Sequence, residues 1–235
     1  MKLDNKRFEK IVLNNGEKDY IFYIGSTTND FFNKANEIIL LVDSEDNVLN
    51  VWHGRRPQLY KNILYMDCSI DTEAYFDINT GEQLFKTFTD NHRLCSEFKY
   101  GYARMYNDNI RQYEIFNTKG EIIKAFNWFY MISENRGIVE DNRTIFNNAT
   151  LVDKDLNYIK EHCFHEQPEY DDLGKYILAE EGINARREKY YLFDYNGNKV
   201  SEGYHILKTD DFKTFKVKDK AGEDYKILTI DDILI

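Results

Sequence analysis

Residues 76–85 read FDINTGEQLF, and two related phrases, IFNTKGEII from Ile115 and LFDYNGNKV from Leu192, occur further along the chain. Each phrase places two apolar or aromatic residues before an Asp or Asn, and a Gly follows within four residues. The Asp or Asn side chain ends a strand by accepting a hydrogen bond from a backbone N–H about two residues on. Because Gly also tolerates a positive φ, the phrase predicts a tight turn between two strands.

The pattern recurs along the chain at a nearly constant interval. Its anchors, the Asp or Asn residues that follow the apolar stretch, are Asp43, Asp77, Asn117, Asp153, Asp194 and Asp231. Neighbouring anchors lie between 34 residues (Asp43 to Asp77) and 41 residues (Asp153 to Asp194) apart. A period of this length is typical of repeat proteins, so we predict a single β-repeat domain over residues 1–235.

An apolar segment also precedes each anchor by about twelve to eighteen residues, so each unit contains three strands and room for a fourth. Aromatic residues make up 15% of the chain, which favours strands. Units this short cannot bury both faces alone and must stack on their neighbours. We predict an all-β, five- or six-bladed β-propeller-like ring whose last blade is completed by the N-terminal strand; the alternatives are a β-solenoid and an irregular antiparallel meander.

Composition narrows the classes of partner and compartment. The formal net charge is −10, from 31 Lys and Arg against 41 Asp and Glu, which disfavours direct binding to nucleic acid. The first residues contain no apolar run of signal-peptide length, and the chain has no run of eighteen apolar residues, so we expect a cytoplasmic protein without a membrane segment. The three widely spaced cysteines predict reduced thiols rather than a disulfide framework.

Residues 98–123 resemble the WG-repeat family, a group of bacterial β-rich repeats. The matching positions are Phe98, Gly101, Ala103, Ile115, Asn117 and Gly120. The Trp-Gly dipeptide of the family is absent, and Tyr113-Glu114 stands in its place. The resemblance implies an interaction scaffold and transfers no catalytic residue or cofactor.

The stretch WHGRRPQLY, residues 52–60, is the best candidate binding site. It joins Trp52, His53, Arg55, Arg56 and Tyr60 in a cationic segment of an acidic protein. Trp, Tyr and Arg dominate binding hot spots because they bring large contact areas and planar donors. Gly54 and Pro57 predict a loop here, and the alternative to a binding site is an ordinary surface loop with Trp52 packed in the core.

A second arginine pair, Arg186 and Arg187, is a further candidate for the binding site. If the two arginine pairs converge, they would suit a phosphate or carboxylate ligand. The alternative is two separate charged loops.

Two kinds of motif are tested for metal binding. DINTG at residues 77–81 and DKDLN at residues 153–157 have the oxygen spacing of a calcium loop, but both lack the Gly and Glu that an EF-hand needs, so hairpin turns explain them better. In HCFHE, residues 162–166, strand alternation places Cys163 and His165 on one face, so at most two ligands converge. We predict no metal and no cofactor.

These features favour a non-enzymatic binding module that recognises a protein or small ligand through loops on one face. One form of it is a phage- or bacterium-encoded inhibitor of a host machine. The alternative is a small propeller-type hydrolase, similar to a glycosidase, that uses paired carboxylates or the histidines of HCFHE. No nucleophile elbow, phosphate-binding glycine loop or metalloprotease helix occurs in the sequence.

Overall fold

The computed structural model describes residues 8–26, 37–69, 72–85, 92–140, 148–171, 174–181 and 189–235. These residues form strands almost throughout, with one four-residue helix among them, which confirms the all-β prediction. In chain order the elements are β1 (Phe8–Asn14), β2 (Asp19–Ser26), β3 (Glu37–Val42), β4 (Val48–His53), β5 (Arg55–Tyr60), β6 (Ile63–Ser69), β7 (Thr72–Asp77), β8 (Gln83–Leu84), β9 (His92–Arg93), β10 (Tyr102–Asn107), β11 (Gln112–Asn117), β12 (Ile122–Phe126), β13 (Trp128–Ser133), β14 (Arg136–Glu140), β15 (Asn148–Asp153), β16 (Tyr158–Tyr170), β17 (Tyr176–Glu180), β18 (Tyr190–Asp194), β19 (Ile206–Thr209), β20 (Thr214–Lys218), β21 (Lys226–Thr229) and α1 (Ile230–Ile233).

The strands pair with their neighbours in chain order. The sheets are β1-β2-β3-β4, β5-β6-β7-β8, β9-β10-β11-β12, the six-stranded β13 to β18, and β19-β20-β21. Strand β16 is 13 residues long and pairs antiparallel with β15 through its first part and with β17 through its later part. The six-stranded sheet therefore consists of two sets that share β16, and the described residues form six consecutive sets of strands.

Five of the six anchors mark the end of the third strand in their set. In each, a side-chain oxygen accepts a hydrogen bond from the backbone N–H two residues on, at 2.8 to 2.9 Å. These five anchors are Asp43, Asp77, Asn117, Asp153 and Asp194. The local chemistry of the repeated phrase thus produces the turn that leads to a fourth strand or to the segment that replaces it.

The sixth anchor, Asp231, does not form such a turn. It follows the third strand of its set, β21, but lies within α1, where the Asp232 carboxylate instead accepts hydrogen bonds from the backbone N–H and hydroxyl of Thr229. No fourth strand follows β21; the N–H of Ile235 donates to the carbonyl of Val200 at 3.0 Å. The predicted hairpin at Asp231 is therefore wrong, because a helical turn takes its place.

The N-terminal strand has a different partner from the one predicted. Strand β1 pairs with β2 along its whole length, from Phe8 opposite Gly25 to Asn14 opposite Asp19. It is the first strand of the first sheet, which already holds four strands. Within the described residues it does not complete the last set.

The chain divides into two compact units, Met1–Ala125 and Phe126–Ile235. The first unit has one core cluster around Phe22, Ile39 and Leu64 and a second in which Tyr75, Phe98 and Phe116 meet edge to face. In the second unit, one core cluster contains Leu151, Phe164 and Phe193, and another contains Leu192, Tyr204 and Phe215. No helix among the described residues is long and apolar enough to cross a membrane.

Candidate functional site

The predicted binding segment, residues 52–60, consists of two strands rather than a loop. Strand β4 ends at His53, β5 begins at Arg55, and only Gly54 lies between them. Trp52 is 5% exposed and packs in the first core cluster, where its Nε1 donates to the carbonyl of Gly81 at 3.3 Å. Tyr60 is half-buried and stacks on Phe98. The prediction of a loop is wrong, because the segment forms strands, whereas the alternative that places Trp52 in the core is confirmed.

Gly54 and the residues after it explain why the segment folds in this way. The Gly54 N–H donates to the Glu37 carbonyl at 3.0 Å, and a Cβ at this position would lie 2.7 Å from the carbonyl oxygen of Asp67. A register shift between Arg55 and Gln58 then forms a bulge against β6, and Arg56 has a φ of 50°. Bulges redirect side chains, and both arginines here contact Asp67, while Arg55 also contacts Glu37.

The two arginines form a strand-end cluster with Glu37 and Asp67. The Nε of Arg55 lies 3.5 Å from Asp67 Oδ2 and 3.8 Å from Glu37 Oε2, and the Nη1 of Arg56 lies 3.7 Å from the same Asp67 oxygen. The Arg55 side chain is 25% exposed and that of Arg56 is 73% exposed. Arg55 is therefore engaged with both carboxylates, whereas Arg56 presents most of its guanidinium to solvent. His53, beside them, is exposed.

The second arginine pair, Arg186 and Arg187, lies outside the described residues. Its convergence with Arg55 and Arg56 stays a prediction.

The second unit contains a cavity of about 450 Å³ between its turns, lined in part by Arg136, Asp155 and Tyr195. The Arg136 guanidinium donates to the Tyr195 carbonyl at 2.6 Å, to the Asn135 carbonyl at 2.8 Å and to Asn196 Oδ1 at 3.0 Å. These contacts join the β13–β14 turn to the turn after β18. The arginine therefore fixes the turns, and sequence reasoning did not single it out.

A polar row crosses three strands of the second unit. Asn148 on β15 lies opposite His165 on β16, and His165 lies opposite Glu180 on β17. The Nδ1 of His165 is 3.3 Å from Glu180 Oε2, while Asn148 is 1% exposed and Glu180 is 8% exposed. Neither polar atom of the Asn148 side chain has a hydrogen-bond partner, and the same holds for Glu180 Oε1 and His165 Nδ1. The sequence indicated only His165 as a candidate. Asn148 and Glu180 belong to no motif, and strand register brings them beside it.

The motifs examined for metal binding have structural roles. The carboxylates of Asp77 and Asp153 accept backbone N–H groups, which confirms the interpretation of both as turns. Among the described residues, no three His, Cys, Asp or Glu side chains are placed to hold a metal ion. The side chains of His162 and Glu166 lie outside the described part of the chain.

The cysteines are unpaired thiols. Burial raises the pKa of Cys68 and of Cys163 to about 11 and that of Cys95 to about 12, so all three are neutral near pH 7. Cys163 and Phe164 are adjacent yet both buried, because register shifts between β15 and β16 interrupt the strict alternation predicted for HCFHE.

No family model matches the chain, and no curated protein matches it. Among solved structures, Hsv2 of Kluyvelomyces marxianus shares 13% identity over 88% of this chain and 74% of that chain, with a TM-score of 0.47. Hsv2 of Kluyveromyces lactis shares 10% over the same fractions, with a TM-score of 0.46. The WD40 β-propeller domain of Doa1 shares 11% over 88% and 73%, with a TM-score of 0.39. TM-scores below 0.5 do not establish a common arrangement of the sheets, and ring closure stays a prediction.

Proposed function

We propose that the chain is a non-enzymatic interaction module and that its partner binds the surface formed by His53 and Arg56 in the first unit. The observation that carries this proposal is the exposure of Arg56, at 73% of its side chain, beside an arginine that two carboxylates already engage. Arg55 is held by contacts with both carboxylates, whereas most of the Arg56 side chain is exposed to solvent.

The chemistry of the Arg56 side chain supports a role in recognition. The guanidinium carries planar donors that match a carboxylate or phosphate in two parallel hydrogen bonds. We therefore propose that the partner presents an acidic group to this surface. Because counterions screen exposed charges, salt should weaken the local attraction between Arg56 and such a group.

The resemblance of residues 98–123 to WG repeats agrees with an interaction scaffold. We propose the bacterial or phage inhibitor as the narrower form of this function. It rests on the acidic composition, which would allow the protein to occupy a basic surface elsewhere on the same partner. The hydrolase alternative has less support, since Glu37 and Asp67, the carboxylates of the strand-end cluster, both contact Arg55.

Affinity capture with matched charge reversals tests the proposal. The control for Arg56→Glu is Lys61→Glu, because Lys61 is also an exposed cation with a positive φ, 53°, and it directly follows the same strand. We expect one partner to be captured by the native protein and by Lys61→Glu, and its affinity for Arg56→Glu to fall about tenfold or more. Circular dichroism would establish that both variants are folded.

Two results would count against the proposal. If Arg56→Glu captures the partner as well as the native protein does, Arg56 is not part of the binding site. The protein would still be an interaction module. No specific partner for the native protein at low salt would remove the protein-binding function, and assays for small ligands and glycoside hydrolysis would take precedence.

A further inference from the structure

We infer that the polar row of the second unit, Asn148, His165 and Glu180, is a binding site for a cationic hydrogen-bond donor, namely the guanidinium or primary ammonium group of a ligand. The site is distinct from the surface proposed above. It rests on the juxtaposition of three polar side chains on adjacent strands, two of them more than nine-tenths buried, with four polar atoms that have no hydrogen-bond partner among the described residues.

The sheet fixes the position of the row. Residues directly opposite one another in an antiparallel pair have their side chains on the same face, with Cβ atoms about 4.5 to 5.5 Å apart. The next residues along each strand, Ala149, Phe164 and Ala179, belong to one buried core cluster. The backbone under the row is therefore held by packing, and a ligand would not have to order it.

The row is costly for a purely structural element. A buried polar group without a hydrogen bond destabilises the folded state, and a buried carboxylate destabilises it more. Leu178 lies on β17 two residues before Glu180. It is opposite Leu192, and both leucines belong to a different, apolar core cluster. Apolar residues are thus accommodated on these strands. Buried unsatisfied groups are rare in native proteins and occur at functional sites.

The chemistry of the atoms selects the ligand. Asn148 Oδ1 and Glu180 Oε1 are acceptors, His165 Nδ1 is an acceptor in one neutral tautomer, and Asn148 Nδ2 is a donor. A set dominated by acceptors and containing a carboxylate suits a positively charged group with several N–H donors. A neutral amide would provide hydrogen bonds but would leave the carboxylate without a counter-charge.

Access is from the His165 side. The His165 side chain is 21% exposed and that of Glu180 is 10% exposed, whereas Asn148 is almost fully buried. A ligand group would therefore approach over His165, the middle residue of the row, which has Glu180 on one side and Asn148 on the other.

Nuclear magnetic resonance of the full chain tests the inference. The His165 ring and the Asn148 side-chain amide are observed while N-acetyl-arginine amide or N-acetyl-lysine amide is added, and N-acetyl-citrulline amide serves as the neutral isostere. We expect saturable shifts at both residues with one or both cationic compounds, and binding of the citrulline compound at least about tenfold weaker. The two cationic compounds distinguish a guanidinium ligand from an ammonium ligand.

A pair of neighbouring glutamates provides the matched variants. Glu180→Gln removes the buried carboxylate and should abolish the saturable shifts. Glu181→Gln, at the next residue, removes a carboxylate that pairs with Lys199 at 2.5 Å and should leave the shifts unchanged.

The inference would be overturned by equal binding of the citrulline compound, by retained binding in folded Glu180→Gln, or by no saturable shift with either cation. A long-lived water contact to the Asn148 amide without any ligand shift would also overturn it and assign the row to a buried water. If Glu180→Gln does not fold, the inference is tested by comparing the binding of the arginine, lysine and citrulline compounds to the native protein.

Discussion

The strand-end cluster of the first unit and the polar row of the second both contain polar side chains that strand register places opposite one another, Arg55 with Asp67 in the cluster and His165 with Asn148 and Glu180 in the row. They differ in charge balance. The cluster sets two carboxylates, Glu37 and Asp67, against two guanidiniums. The row sets Glu180 against a single imidazole and leaves the Asn148 amide without a partner.

This difference in charge balance indicates which of the two regions stabilises the folded protein. A cluster that balances its own charges holds strands together, so only its exposed member, Arg56, is left for a partner. A row with unsatisfied acceptors weakens the sheet, which is the cost that the proposed ligand would offset. The cluster should therefore lose stability when it is altered, and the row should gain stability when it is made apolar.

The largest expected effect comes from Gly54→Ala, which disrupts the backbone beneath the cluster. The added Cβ would lie 2.7 Å from the Asp67 carbonyl oxygen and 2.9 Å from Met66 Sδ, so the β5–β6 pairing must open. We expect a loss of about 2 to 3 kcal/mol in the free energy of unfolding, measured by urea denaturation. His53→Ala, at the exposed preceding residue, should change it by less than about 0.5 kcal/mol. Equal stability of Gly54→Ala and the native protein would show that the strands separate easily here.

Arg55→Ala tests whether the cluster stabilises the fold through its charges. It leaves Glu37 and Asp67 without their shared guanidinium, and Glu37 Oε2 is already buried without a hydrogen bond. We expect a loss of about 1 to 2 kcal/mol, reduced from the fully buried case because Arg55 is one-quarter exposed. Arg93→Ala, which breaks the exposed pair with Asp108, should cost about 0.5 kcal/mol. If the two substitutions cost the same, the cluster is an ordinary surface ion pair.

Asn148→Leu should have the opposite sign. It replaces a buried amide that has no partner with an apolar group of similar size, so we expect a gain of about 1 kcal/mol in the free energy of unfolding. Asn107→Leu is the matched control, because Asn107 is also buried but its Oδ1 accepts the Asn109 N–H at 2.9 Å, and its loss should cost about 1 kcal/mol. Destabilisation by Asn148→Leu would show that the amide has a partner in the folded protein, and the contrast between row and cluster would fail.

The turns of this fold were predictable from sequence because their chemistry is local. An Asp or Asn that accepts the N–H two residues on needs no distant partner, and five anchors behave in this way. The strands around Gly54 were not predictable in the same way, because Gly54 and Pro57 are typical of loops. Here Gly54 meets a crowded contact, and Pro57 lies within the bulge, between Arg55 and Gln58, where the regular ladder is interrupted.

The polar row marks the limit of sequence reasoning about the site. Asn148 and Glu180 are 32 residues apart, and neither belongs to a motif. Their meeting at His165 depends on register shifts on both sides of β16, which the sequence does not encode in any simple period. A shift of one residue would place Asn148 or Glu180 on the opposite face.

The smallest expected effect is on the pH dependence of stability. It concerns the carboxylates of the anchors rather than those of the cluster and the row. Burial by itself would raise the pKa of Asp194, but the side-chain amide and backbone N–H of Asn198 outweigh it and hold the pKa below the ordinary value. Because the carboxylate is more acidic in the folded chain, its contribution is present above the unfolded pKa of about 3.9 and is lost as pH falls through the folded value. The stability that Asp194 contributes should therefore be lost at pH values below about 4.

Asp194→Asn keeps an acceptor oxygen at the turn but cannot titrate, so the urea midpoint of this variant should fall less steeply between about pH 4 and pH 2 than that of the native protein. Asp210→Asn, an exposed aspartate outside the anchors, is the control and should retain the native slope. If Asp194→Asn loses stability on acidification as steeply as the native protein, the hydrogen bonds of this anchor do not contribute to the acid response. That response would then have to be assigned to other carboxylates whose pKa values hydrogen bonds hold below the ordinary value, and the anchors Asp43 and Asp153 would be the first to replace with Asn.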